Sequence, residues 1–166
     1  MAILGKYRGK VVDPVDPLQL GRIIALVPAV SELPLSWALP SVPYAGGGVG
    51  FFAVPPVGAN VWIEFEGGDP NYPIWSGCFW GEDEAPAQPA LPTTFVFKTN
   101  LVTLSADDLN AELTLQVKTP TGLQTIVMNP DGIQLSSNHV TVTIGQEAIE
   151  LKNGPAGIEI TPASIR

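Results

Sequence analysis

The sequence is poor in the residues that do chemistry. Its 166 residues contain one cysteine and one histidine. Cys78 alone can close no intrachain disulfide. Its aromatic neighbours Trp75, Phe79 and Trp80 predict a buried thiol that fills apolar space rather than one that attacks a substrate. Cys78 and His139 stand far apart, so they offer neither a zinc spacing nor a Cys–His pair. Charge is also scarce: 14% of residues are charged, with 8 basic against 16 acidic for a net of −8. Nucleic-acid binding needs Lys and Arg against phosphates, and no basic stripe is present. Lys6, Arg8 and Lys10 do alternate, which suits one solvated strand face or a protein-docking edge. Apolar runs are too short for a membrane span. The opening MAILGKYRGK lacks the apolar core of a secretory leader, so no export signal is expected.

Absence also divides the chain. All four Trp and all three Tyr lie within residues 1–80, and after Phe97 the last 69 residues hold no aromatic. Between the halves, Gly81–Pro92 (GEDEAPAQPALP) carries three acidic residues and three prolines, which is linker composition. The expected domains are 1–80, a linker at 81–92, and 93–166.

The first half reads as short strands. Tyr7–Val12 alternates, Gly21–Val27 is aliphatic and β-branched, and Val61–Phe65 (VWIEF) is bounded by Gly58 and Gly67. Pro55 and Pro56 mark the entry to that strand, Gly67-Gly68-Asp69-Pro70 is a turn, and Ile74–Phe79 resumes as strand. Such strands in about eighty residues predict a small closed or partly open barrel. Pro28–Gly50, proline-rich and ending in GGGVG, is expected to be a loop over one barrel end.

The second half alternates differently. Leu113, Leu115 and Val117 interleave with Thr114, Gln116 and Lys118, and Val140, Val142 and Ile144 with Thr141, Thr143 and Gly145. GIQL, AIEL and GIEI recur at Gly132, Ala148 and Gly157, too unevenly for a strict solenoid period. An alternating strand has one apolar face that something must cover, and no helical segment is available to do it. About seventy residues of this kind are near the lower limit for independent stability. An obligate oligomer is therefore expected, with a three-sided prism best suited to a narrow aliphatic interior. A single-chain sandwich is the alternative.

Catalytic groupings are lacking. Glu64 and Glu66 are expected on one strand face, about 7 Å apart, and with Asp69 they are the only carboxylates suggestive of a glycan hydrolase. Asp107-Asp108 suits a turn or strand end. No GxSxG or phosphate-loop context is found. His139 in SSNHVTVT shares parity with Thr141 and Thr143 and is expected in solvent; its one metal reading is a weak candidate site formed by symmetry copies at a trimer axis. No enzyme and no cofactor are expected.

The first half carries a longer pattern: Gly21-Arg22 opening a strand, Trp37, the Tyr44–Gly50 loop, Pro56-x-Gly58 before VWIEF, GGDP at 67–70, Pro73, and Gly77 ahead of an aromatic. Together these resemble the OB-fold module of the phage baseplate assembly protein V family. That module is shared with the central spikes of contractile tails and of type VI secretion. The resemblance implies a five-stranded Greek-key OB barrel, continued by a trimeric intertwined β-helix or β-prism needle. It implies a structural role, with a homotrimer mechanically puncturing the target envelope in a virion or phage-tail-like baseplate assembled in the bacterial cytoplasm. It also implies a baseplate hub partner above, and the ending PASIR suits capping by a separate PAAR-type tip protein. Neither nucleic-acid partners nor lasting membrane contact are implied. Trp37, Tyr44, Trp62, Trp75 and Trp80 are the candidate hub or barrel contacts, with core the expected place for each tryptophan. The rivals are an oligosaccharide-binding OB protein, a trimeric adhesive fibre and, further off, a glycan hydrolase.

Overall fold

Strand β1 (Tyr7–Asp13) buries Gly9 and Val11 and turns Arg8, Lys10 and Val12 outward, as the alternation in its sequence requires. The computed structural model describes residues 2–161, which are all-β apart from one 3-10 turn. Two compact units, residues 1–84 and 85–166, make up the chain.

In the first unit, β1 pairs with β2 (Ile24–Leu26) on one side and β6 (Asn60–Phe65) on the other. Strand β7 (Pro73–Cys78) joins β6, and β3 (Leu39–Pro40) lies parallel to β7. The sheet order is therefore β2-β1-β6-β7-β3. Ile23 and Ala38 bridge the two edges: Ile23 N–H donates to the Ala38 carbonyl at 3.2 Å, and Ala38 N–H returns a bond of 2.8 Å. That bridge closes the sheet into a five-stranded OB-like barrel.

The barrel is filled by Val11, Ile23, Ala25, Val27, Ala38, Val61, Ile63, Phe65 and Trp75. Strand β6 shows strict alternation, with Val61, Ile63 and Phe65 inward and Trp62 and Glu64 outward. Complete burial of an aliphatic side chain contributes about 1.5–3 kcal/mol, so these residues supply the driving force for this unit.

The structure corrects one expectation here. Pro28–Gly50 is not simply a loop over the barrel: it contributes β3, which completes the barrel wall, and a small hairpin of β4 (Ala45–Gly46) and β5 (Val49–Gly50). Two residues, one of them a proline, give no periodic signal, yet the backbone groups of β3 and Ala38 are what close the ring.

The second unit is an antiparallel meander of eight strands in sequence order: β8 (Thr94–Lys98), β9 (Val102–Asp107), β10 (Glu112–Thr119), β11 (Gly122–Asn129), β12 (Gly132–Ser137), β13 (Val140–Gly145), β14 (Ile149–Asn153) and β15 (Ala156–Ile160). Each strand pairs with the next without a register shift. The PASIR ending lies outside the described residues.

Candidate functional site

In the second unit, side chains paired across an antiparallel ladder share a face. Following the register from strand to strand gives one continuous apolar row of eight: Phe95, Ala106, Leu113, Met128, Ile133, Ile144, Ile149 and Ile160. A second row of eight runs beside it: Phe97, Leu104, Leu115, Ile126, Leu135, Val142, Leu151 and Ile158. A third, mixed row contains Val102, Val117 and Val140 with Gln124, Ser137 and Asn153.

The opposite face is mostly hydroxyl, amide and charge: Thr103, Ser105, Thr114, Gln116, Thr125, Ser136, Thr141, Thr143 and Glu150, with Val96, Leu123 and Val127 as exceptions. Pro86–Leu91 lies against the polar side of β8 and β9, next to Thr94, Thr103 and Ser105.

Among the described residues nothing covers the apolar face. Every buried hydrophobic residue among those described belongs to the first unit. On the two apolar rows, Leu135 is 40% exposed and Ile158 65%. Leu115, Val117, Ile126, Leu135 and Val142 line a shallow groove on this side. An open patch of sixteen row positions on one sheet is larger than monomeric proteins ordinarily leave in water.

The barrel carries a second group of interest, where its sequence motif converges. Asp16 accepts from Arg22 Nη2 at 2.6 Å and Nε at 3.0 Å, and also from the backbone N–H groups of Leu18, Leu20 and Arg22. The Arg22 guanidinium, aided by those N–H groups, holds the Asp16 carboxyl well below the usual carboxylate range. The same guanidinium lies 5.3 Å from the Trp37 ring. Gly21, at φ +75°, accepts a 3.1 Å bond from the Trp75 indole N–H, and a Cβ there would meet the Phe52 ring at 3.1 Å. Gly21-Arg22, Trp37 and Trp75 thus secure one end of the barrel.

The remaining motif residues are also structural. Gly58 N–H donates to the Val11 carbonyl at 2.9 Å. Gly68 is buried at φ +80°, and its carbonyl accepts from Ile3 N–H at 2.9 Å. Gly77 lies at the bulge where β7 carries one residue more than β6.

The five candidate contact residues do not form one site. Trp75 is in the core. Trp37 is half-buried under Arg22, and Trp62 is half-buried on the outer face, 4.7 Å from the Phe79 ring with Arg8 over both. Tyr44 and Trp80 are exposed, so the core placement expected for Trp80 is corrected. Around Tyr44, sequence reasoning missed Val49, Phe51 and Phe52, which are also exposed. The available signal was charge: no ionisable Asp, Glu, Lys, Arg or His occurs from Leu33 through Ile63.

Three further expectations are revised. Cys78 is on the surface at the end of β7, and partial desolvation raises its thiol pKa. It is neither buried filler nor an activated nucleophile. Glu66 leaves the strand for the 3-10 turn Glu66–Gly68, so it does not continue the face of Glu64. Glu64 pairs with Lys6 and accepts from Ser76 Oγ at 3.0 Å, and Lys6 in particular lowers its pKa. Asp69 caps its own turn, accepting from Asn71 N–H at 2.9 Å.

His139 occupies the β12–β13 turn with Asn138 and is exposed; it is therefore off the strand on which parity placed it. Among the described residues no group of three His, Cys, Asp or Glu could hold a metal. No helix among them is long and apolar enough to cross a membrane.

The chain matches no curated protein. Its barrel, however, does match a family model: residues 7–80 are similar to the type VI secretion system/phage-baseplate injector OB domain.

Proposed function

We propose that the chain is the central spike of a contractile injection baseplate, in which three copies wrap their C-terminal sheets around one axis. The observation that carries this reading is the pair of complete apolar rows that, among the described residues, have no covering layer, in a unit whose described residues include no buried hydrophobic one. Three such faces turned inward make a dry aliphatic interior, and the polar faces remain in water. The injector OB domain supports the baseplate setting.

The work of this spike is mechanical. Backbone hydrogen bonds run through eight strands without a register break, and the proposed interior fixes the side chains of all three walls. Sheath contraction drives the stiff body through an envelope, with only transient membrane contact. Three chains would carry three times −8, or −24, favouring solubility before firing.

At the barrel, the uncharged exposed group of Tyr44, Val49, Phe51 and Phe52 supports contact with a hub or a neighbouring barrel, and Trp80 offers a second apolar contact. A tip protein of the PAAR type at the C-terminal end belongs to the same reading. Hydrodynamic mass tests the proposal: a 17.5 kDa chain should sediment near three times that mass. A single-chain particle at all concentrations refutes it.

A further inference from the structure

The meander has two lateral margins made of turns, and charge is fully sorted between them. One margin holds the turns after β8, β10, β12 and β14. All three lysines described in this unit lie within two residues of it: Lys98 ends β8, and Lys118 and Lys152 are next to last in β10 and β14. His139 is in the third of these turns.

The other margin holds the turns after β9, β11 and β13, and every acidic residue of the unit is there. Asp107, Asp108 and Glu112 surround the first turn, while Asp131 and Glu147 occupy the other two. Glu150 and Glu159 stand one residue in from this margin.

Sorting of this kind does little for one chain. Strands of five to eight residues separate the margins by roughly 14–25 Å, about two to three Debye lengths at physiological salt, and the two sets meet on the short strand β14. Among the described lysines of this unit only Lys152 has a carboxylate partner, Glu150, and Lys98 and Lys118 form no ion pair.

We infer that copies of this sheet join side by side along a charge-complementary seam, the lysine margin of one against the acidic margin of the next, with all copies pointing the same way along the strand stack. Cyclic head-to-tail packing makes every seam of that kind. Reversing one copy would set lysine against lysine and carboxylate against carboxylate, which is repulsive. The turns also fit by height. Those of one margin fall midway between those of the other, so neighbouring margins interlock with an offset of about one strand spacing, roughly 4.8 Å. The inference rests on the proposed trimer but adds its polarity and the residues that fix it.

Three full-length variants test the seam: K98E/K118E/K152E, the opposite exchange D107K/D131K/E147K, and the two combined. Sedimentation over a dilution series is read at about 0.05 M and 0.5 M NaCl, since screening should weaken only the charge contribution. Each single-margin exchange should raise the half-dissociation concentration about tenfold or more at low salt, and less at high salt. The combined exchange restores opposite margins and should return assembly to within a few-fold of the parent. Far-UV circular dichroism monitors strand content.

Unchanged assembly in both single-margin variants overturns the seam and leaves the trimer standing. Failure of the combined exchange to rescue a variant that retains its strands also overturns it. A wild-type chain that stays single at every concentration overturns both.

Discussion

Leu135→Ala is the perturbation that best separates a covered apolar face from an open one. Leu135 lies in the central row between Ile126 and Val142, and 40% of it remains exposed in the single chain. If that exposure persisted in solution, truncation would remove a half-hydrated side chain at a cost of about 1 kcal/mol. With neighbouring copies packed over it, the same change empties a buried site and costs about 2–5 kcal/mol per chain. Three sites per assembly then weaken association by roughly 3–12 kcal/mol, three times the difference between those two figures. Gln134→Ala, one residue away on the polar face, is the control.

Thermal unfolding should be followed at several protein concentrations, with sedimentation in parallel. A trimer raises its Tm with concentration, because assembly binds the folded state. Leu135→Ala should lower Tm sharply and make the concentration dependence steeper at the dilute end, and Gln134→Ala should do neither. Equal effects from the two variants, with a Tm independent of concentration, refute the covered face.

Other predictions concern the barrel. Gly68→Ala should destabilise it by about 1–3 kcal/mol in urea unfolding, because the left-handed backbone disfavours a side chain and the new Cβ would lie 3.0 Å from Ala2 and 3.2 Å from Ile3 N. Gly67→Ala, in open space, should cost less. Trp75→Phe removes the indole donor to the Gly21 carbonyl and some core volume, and should cost about 1–3 kcal/mol by the same measurement. Asp16 has a depressed pKa, so as pH falls the unfolded chain takes up its proton first. Its contribution is complete above about pH 4 and is lost progressively below that. Asp16→Asn should reduce stability at neutral pH and flatten the acid limb of a pH–stability curve.

Alternation made much of the fold readable. Strands β1 and β6 carry a strict inside–outside pattern, β7 does so up to its bulge, and the second half alternates on nearly every strand. Strand β3 was hidden because two residues cannot show a period, and its evidence is a parallel pairing with β7 far along the chain. Cys78 and Trp80 are exposed because β7 ends at Cys78, so a run of apolar neighbours in sequence does not make a shared core there. The apolar rows were foreseen as a need for cover, but the sorting of charge was not. Lys98, Lys118 and Lys152 stand twenty or more residues apart, and they share a margin only once the turns are counted.

The two units solve the same physical problem by opposite means. Closing five strands through the Ile23–Ala38 bridge surrounds one small core, so the barrel needs no second chain to bury Ile63 or Trp75. The described strands of the meander do not close on themselves, so on the proposed reading its apolar face is satisfied by neighbouring copies. Proximity of three barrels on a common hub would raise the local concentration of the three sheets and favour their assembly. On the proposed reading the hub would therefore lower the concentration at which the sheets assemble, without being required for assembly of the free chain.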